Sequence, residues 1–255
     1  MENAVIFDSH AHYDDSRFDL IREETLAKMP ENNVCGIINC GTDISTSLIS
    51  IDLAEKFPFV YAAIGYHPES IDDTTVFEKD KLIELAKNKK VVAIGEIGLD
   101  YYWDTSYKKN QIDFFKKQLI LAKELDLPVI IHDRDAHGDT LEILKKHNPK
   151  GVLHCFSGSI EMAREVIKLG LYIGVGGVVT FKNSKKLVEI VREMPLERIL
   201  LETDAPYLSP EPYRGKTNNS AYILHVAEKI AEIKDINTEE VLSVTTKNVK
   251  TLFNI

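Results

Sequence analysis

The sequence contains little cysteine, no long apolar run and no excess of basic residues, and each of these absences excludes a class of protein. Its three cysteines are Cys35, Cys40 and Cys155, and no two of them form a Cys-x-x-Cys pair. This usage is typical of a reducing compartment. It excludes a disulfide framework and a zinc ribbon.

Membrane-directing segments are also missing from the sequence. The longest glycine-containing apolar run covers only residues 171–179, whereas a helix that spans a bilayer needs roughly 20 apolar residues. Residues 1–8 carry no basic segment ahead of their short apolar run, so we predict no signal peptide. The expected location is cytoplasmic, with no membrane partner.

The charge balance is acidic, with 31 basic and 40 acidic residues and a formal net charge of −9. A broad basic face that covers duplex DNA is therefore not expected. The balance still allows a nuclease that grips one strand end in a small pocket charged by metal ions. No obligate protein partner is evident.

Length and hydrophobic pattern predict one closed α/β barrel. Of the 255 residues, 44% are hydrophobic and 28% are charged, which excludes intrinsic disorder. Short β-rich apolar runs alternate with amphipathic segments, such as 45–57 and 107–125, and a last helix opens at Asn237. Without a linker or a shift in composition, we predict a single domain over 1–255. The runs begin near Val5, Val34, Phe59, Val91, Pro128, Gly151, Leu171 and Ile199.

Eight such units in about 250 residues favour a (β/α)8 TIM barrel with an extra C-terminal helix, and an open doubly wound sheet is the alternative. Polar residues at the ends of the first, fourth, fifth, sixth and eighth strands favour the barrel, because only a closed barrel directs all five ends to one mouth. These residues are His10, His12, Glu96, His132, His154 and Asp204.

Alone, each of these six residues has an ordinary explanation. A histidine can be hydrogen-bonded in the core, a carboxylate can pair with a lysine or arginine, and an aspartate can begin a turn. Together, six nitrogen and oxygen ligands suit two divalent ions, which we expect to be Zn, Mn, Mg or Ni. The histidines on helical segments, His137, His147 and His225, are predicted to be surface residues.

Other polar residues near the predicted mouth are candidate phosphate ligands. His67 follows the third strand, Arg134 follows the fifth, and Arg214 belongs to a basic loop after the eighth. Phosphate sites often lie near the last two loops of such barrels. A structural turn for His67 and a solvated charge for the arginines are the alternatives.

The motifs that carry these residues resemble those of the TatD family of metal-dependent deoxyribonucleases. The matching segments, in order, are 8–12, 65–68, 95–102, 128–135, 154–158 and 202–208. The resemblance implies a barrel with one or two divalent ions. It implies 3′-to-5′ exodeoxyribonuclease or related phosphodiesterase activity, with DNA as the substrate.

The resemblance also implies two ligand sets. His10, His12, Glu96 and Asp204 would surround one ion, and Glu96, His132 and His154 would surround the other. Asp204 would orient a metal-activated water and take its proton, and Glu96 would bridge the ions, so these two carboxylates are the predicted catalytic residues. One departure from the family pattern is Asn219-Ser220, which stands where the family often has Glu-Pro.

Two other functions remain open at this point. Related barrels hydrolyse amide, lactone or aminoacyl-ester bonds, and many of them carry a carboxylated lysine where this chain has Glu96. An inactive scaffold, metal-bound or metal-free, whose role is interaction is the other alternative. Metal analysis would separate it from an enzyme, since a scaffold need not hold stoichiometric metal.

Overall fold

The computed structural model describes residues 5–255. Eight strands form one sheet in chain order, and each neighbouring pair is parallel. The strands are β1 (Ile6–Ala11), β2 (Val34–Cys40), β3 (Val60–Ile64), β4 (Val91–Asp100), β5 (Val129–Arg134), β6 (Gly151–Leu153), β7 (Tyr172–Val175) and β8 (Ile199–Leu201).

Helices alternate with these strands through the described residues. They are α1 (Arg22–Ala27), α2 (Ile44–Lys56), α3 (Lys79–Leu85), α4 (Lys108–Glu124), α5 (His137–His147), α6 (Ile160–Lys168), α7 (Lys185–Glu193), α8 (Ile223–Lys234) and α9 (Thr238–Phe253). The helices predicted over 45–57 and 107–125 correspond to α2 and α4. Asn237 caps α9 as predicted, since its Oδ1 accepts a hydrogen bond of 2.6 Å from the Glu240 amide.

The end of the sheet returns to its beginning. Ala11 forms a parallel bridge with Ala205, and the Asp204 amide donates to the His10 carbonyl at 3.0 Å. Asp8 adds side-chain bonds, because its Oδ2 accepts from the hydroxyls of Thr203 and Ser220, each at 2.6 Å. The fold is therefore the predicted (β/α)8 TIM barrel and not an open sheet.

The last helix covers the N-terminal end of the barrel. Val249 and Phe253 of α9 belong to the apolar cluster that contains Phe7, Ile38 and Ile130. The Asn248 amide donates to the carbonyls of Leu196, shortly before β8, and of Ile199, the first residue of β8, each at 2.9 Å. With one end closed by α9, the opposite end, where the strands terminate, is left for the site.

Strand β4 shows why several strands are apolar over their whole length. All ten of its residues are buried, because one face packs inside the barrel and the other against the surrounding helices. Among the described residues, no helix is long and apolar enough to cross a membrane.

Candidate metal centre

Strand β1 directs two histidines toward one carboxylate. Side chains alternate along a strand, so His10 and His12 lie on the same side, and their Nε2 atoms are 3.0 Å apart. Those atoms lie 3.3 and 3.2 Å from Oε2 of Glu96. Three donors, one from β1, one from the residue just beyond it and one from β4, therefore converge on one point.

The other oxygen of Glu96 faces a second set of histidines. Its Oε1 lies 2.7 Å from Nε2 of His154 and 2.9 Å from Nδ1 of His132. A third ring, that of His67, has its Nε2 at 3.3 Å. Glu96 thus stands between two groups of imidazoles and presents one oxygen to each.

Asp204 reaches the first group across the closure of the barrel. Its Oδ1 lies 3.6 Å from Nε2 of both His10 and His12. The residue has a left-handed backbone with φ of 57°, which turns the chain at the end of β8. Its side chain is 19% exposed, against 3% for Glu96, so Asp204 faces the open cavity.

Hydrogen bonds behind two rings fix which nitrogen carries the lone pair. Nδ1 of His12 lies 2.9 Å from the Cys40 carbonyl, and a carbonyl only accepts. Nε2 of His132 lies 2.9 Å from Oδ2 of Asp100. When a ring is neutral, as metal binding requires, its lone pair therefore faces Glu96, as in metal-bound histidines held by a carbonyl or carboxylate. When the ring is protonated, the same nitrogen donates to Glu96.

His67 has the reverse arrangement. Its Nδ1 accepts a hydrogen bond of 3.1 Å from the Glu69 amide, so the neutral ring carries its proton on Nε2. That Nε2–H group points to Glu96, and it is a hydrogen-bond donor into the site. The role of His67 as a donor to substrate stays a prediction, and its ring lies close to the other histidines.

The electrostatics of the centre call for positive charge. Burial opposes ionisation of Glu96, but the neighbouring histidines, His154 foremost, hold its pKa well below the ordinary value. Burial likewise opposes the charged form of His132, yet hydrogen bonds to Asp100 and Glu96 raise its pKa to about 10. In the metal-free protein, protons on histidine supply the charge that cations would supply when bound.

The donors fit divalent ions by type and by spacing. Three sets of nitrogen and oxygen atoms each lie within 4.8 Å of one another, and together they include all six predicted ligands and His67. Imidazole and carboxylate donors suit Zn, Mn and Ni, with carboxylates also suiting Mg. The residues present therefore fit divalent cations.

These donors lie at the bottom of a cavity of about 910 Å³. Five predicted ligands and two predicted phosphate ligands line it, and His10 lies fully buried beneath them. Arg214 is not brought into the cavity lining, because its guanidinium stacks 3.7 Å from the ring centre of Phe181. The lining residues among the predicted set are His12, His67, Glu96, Arg134, His132, His154 and Asp204.

The histidines outside the centre lie on helices as predicted, but they are half-buried. His137 and His147 begin and end α5, and His225 lies on α8. Nδ1 of His137 lies 2.6 Å from Oδ2 of Asp133.

Two buried carboxylates of the site were missed by sequence reasoning. Asp100 ends β4 and supports His132, and its signal was the same as for the other ligands, a carboxylate at the end of a strand. Glu202 lies behind His154, with Oε1 at 4.0 Å from its Nδ1, and accepts from the Cys155 amide at 2.5 Å. Burial raises the pKa of Glu202 to about 8.

Comparison with known proteins agrees with this geometry. The model of the family described as TatD related DNase matches residues 7–254. The chain is 46% identical to the uncharacterized metal-dependent hydrolase YabD of Bacillus subtilis, over 98% of this chain and all of that protein. It is 38% identical to the metal-dependent hydrolase YcfH of Escherichia coli K12, over 98% of this chain and 96% of that protein.

A solved structure shares the whole fold. The crystal structure of YjjV, a TatD homologue from Escherichia coli K12, superposes with a TM-score of 0.90 and 34% identity, and the match covers 98% of both chains. Family, relatives and fold agree over nearly the full sequence. The chain therefore belongs to the TatD family of metal-dependent hydrolases.

Proposed function

We propose that this hydrolase cleaves phosphodiester bonds and acts as a 3′-to-5′ exodeoxyribonuclease that uses two divalent ions. The observation that carries the proposal is the position of Glu96, with Oε2 beside His10 and His12 and Oε1 beside His132 and His154. One carboxylate between two imidazole groups is the ligand arrangement that a two-metal hydrolase needs.

The ligands divide into two sets that share Glu96. His10, His12 and Asp204 would hold one ion, and His132 and His154 would hold the other. When bound, such ions lower the pKa of a water molecule and polarise a phosphoryl oxygen. Metal identity follows availability as well as ligand type, so Zn, Mn, Mg and Ni are all candidates.

Asp204 is the proposed general base. Burial opposes its ionisation, but the hydrogen bond with His12 and the nearby histidines lower its pKa below the ordinary value. The carboxylate is therefore ionised at neutral pH, and it is more exposed to the cavity than Glu96. In this position it can orient a water molecule and accept its proton.

Two side chains of the cavity wall are the proposed hydrogen-bond donors to the phosphate. The Nε2–H group of His67 points inward, as its bond with the Glu69 amide requires. Arg134 is the one arginine or lysine among the described residues that line the cavity. Donors of this kind stabilise a phosphoryl group through charge-assisted hydrogen bonds.

A strand end suits this cavity better than a long duplex does. One lining arginine and a net charge of −9 give the protein few phosphate contacts, and a tight complex with duplex DNA needs many. A single-stranded 3′ end enters the cavity with its last diester next to the ligands. DNA is accordingly the proposed partner.

The proposal is tested with metal-stripped protein and 5′-labelled single-stranded DNA, with or without Mg²⁺, Mn²⁺ or Zn²⁺. We expect a ladder that shortens from the 3′ end only when metal is added. Glu96→Gln, which keeps the size of the side chain, should abolish the ladder, and Glu142→Gln on the exposed face of α5 should leave it unchanged.

The other results lead elsewhere. Immediate release of labelled mononucleotide would mean digestion from the 5′ end and would refute the polarity. A protein that holds two ions but cleaves no DNA or RNA would refute the phosphodiester assignment and favour amide, lactone or aminoacyl-ester substrates. A protein without stoichiometric metal after addition would favour the scaffold.

A further inference from the structure

Two aromatic side chains stand exposed at the mouth of the cavity. Tyr102 and Trp103 follow β4, and their side chains are 53% and 64% exposed. Trp103 also lines the cavity itself. Large aromatic side chains are normally buried for most of their surface. This exposed pair at the entrance is therefore available to contact a bound ligand.

A guanidinium group accompanies the pair. The Arg134 guanidinium lies 3.8 Å from the ring centre of Tyr102 and 5.2 Å from that of Trp103. The two rings meet edge to face, with centres 4.8 Å apart. Tyr102 is thus covered by Arg134, while Trp103 projects beside it with its ring open to the cavity.

One carboxylate fixes these rings relative to the metal centre. Oδ1 of Asp100 accepts from the amides of Tyr102 and Trp103 at 2.9 and 3.4 Å. Its Oδ2 lies 2.9 Å from Nε2 of His132. The aromatic loop and a predicted metal ligand are therefore held by the same side chain.

We propose that Trp103, flanked by Tyr102 and Arg134, is a stacking platform for a nucleobase next to the scissile diester. The inference rests on the proposed function and names the part of the substrate that this rim recognises. Every base offers a π face, so such a platform binds all four bases. Arg134 at its edge would meet the phosphate that follows the base.

The charges of the molecule favour a base over other occupants. The net charge of −9 works against binding a polyanion through long-range attraction. Stacking supplies affinity that does not depend on phosphate charge, and the lone arginine of the lining supplies the polar contact. Trp103 lines the same cavity as the metal-binding donors. A base stacked on it would therefore lie within the site and not on a separate surface.

Trp103 is the only tryptophan of the chain, so intrinsic fluorescence reports on this position alone. The full chain with its bound metal is titrated with dAMP, which offers no diester to cleave. We expect saturable quenching by dAMP and by dTMP. Deoxyribose 5-phosphate should quench little, and N-acetyltryptophanamide, which measures collisional quenching, should show no saturation.

Kinetics on single-stranded DNA supply the second measurement. Trp103→Ala should raise KM about tenfold, as loss of one stacked base predicts, and leave kcat nearly unchanged. Trp103→Phe should restore most of the affinity. Ile120→Ala, which truncates an exposed apolar residue of α4, should match the wild type.

The outcomes separate this inference from the proposed function. An active nuclease with linear dAMP quenching and an unchanged KM for Trp103→Ala overturns the platform and leaves the nuclease intact. Saturable quenching by deoxyribose 5-phosphate as strong as by dAMP also overturns it, since phosphate and not the base is then bound. A protein that cleaves no nucleic acid can still show saturable quenching by dAMP and little quenching by deoxyribose 5-phosphate. That result supports the platform while the nuclease assignment fails.

Discussion

Asp100 connects two parts of the site through its two carboxylate oxygens. One oxygen holds the Nε2 atom of His132, and the other holds the backbone of the aromatic loop. An amide in its place has one acceptor oxygen, so it cannot serve both partners. The residue is a positioning group, because it acts on a ligand and not on the substrate.

Asp100→Asn is expected to weaken metal affinity by about 10- to 100-fold, as loss of such a partner usually does, without unfolding the barrel. Competition with a chelator measures the affinity. Asp104→Asn is the matched control, since that exposed aspartate belongs to the same loop and accepts from the Ser106 amide, away from His132. Equal affinity in wild type and Asp100→Asn would show that the His132 orientation does not depend on this bond.

His67 and His132 provide a contrast between donor and ligand. Because Nδ1 of His67 accepts from a backbone amide, we expect His67→Ala to keep both ions and to lose kcat/KM by about 100-fold, as removal of one stabilising donor does. His132→Ala should lose metal. Metal analysis by mass spectrometry beside steady-state kinetics checks both variants, and loss of one ion from His67→Ala would identify it as a ligand.

The sequence alone was enough to select the proposed ligands, because they occupy corresponding positions along their strands. The six proposed ligands lie in the C-terminal half of an apolar strand or just beyond it, with Glu96 within β4 and not at its end, and a closed barrel brings these parts of the strands together. Asp100 and Glu202 were missed although each lies at the end of a strand or just after it, because the sequence does not show which imidazole ring a carboxylate supports. Arg214 was predicted near phosphate, but the path of its loop depends on packing against Phe181, which no local pattern encodes.

Strands β6 and β8 end where their apolar runs end. The next residues, His154 and Glu202, are polar, and the strands stop at Leu153 and Leu201. Cys155 has φ of 44° and Asp204 has φ of 57°, and a left-handed residue cannot continue a strand. Tertiary contacts, such as the bond from the Cys155 amide to Glu202, impose these turns. Propensity alone does not predict them.

Close packing of β7 against Glu202 gives a test at the level of the element. A Cβ atom on Gly174 would lie 2.1 Å from Oε2 of this buried carboxylate. We expect Gly174→Ala to lower the free energy of unfolding by about 1–3 kcal/mol, the usual cost of overpacking, as measured by urea denaturation.

Gly138 is the control for that substitution. It lies on α5, and an added Cβ meets no atom of the described chain within 4 Å. Gly138→Ala should therefore stabilise the protein by about 0.5–1 kcal/mol, since alanine favours the helix. Equal effects of the two substitutions would contradict the packing described for Glu202.

The whole molecule carries a net charge of −9, so we expect few cationic side chains to bind DNA. The salt dependence of KM for DNA counts those that do. If Arg134 supplies the charged phosphate contact and His67 donates as a neutral ring, the logarithm of 1/KM for single-stranded DNA should fall with the logarithm of salt concentration with a slope of about −0.7, the value for one charged contact. KM measured across a salt series gives the slope.

Two arginine variants locate the contacts. Arg134→Gln should make the slope shallower by about 0.7, and Arg214→Gln should leave it unchanged because Arg214, unlike Arg134, does not line the cavity. A slope that changes with Arg214 and not with Arg134 would move the phosphate site to the loop after β8.

Closure of the barrel through Ala11 and Ala205 has a consequence for the synthesis of the chain. His10 and His12 are made first, and Asp204, their partner in the proposed ion site, is made near the end. A ribosome-bound chain therefore carries five of the six donors before the pocket that arranges them exists. Ion capture is then a late step of maturation, and a product of interrupted translation carries the histidines without the site.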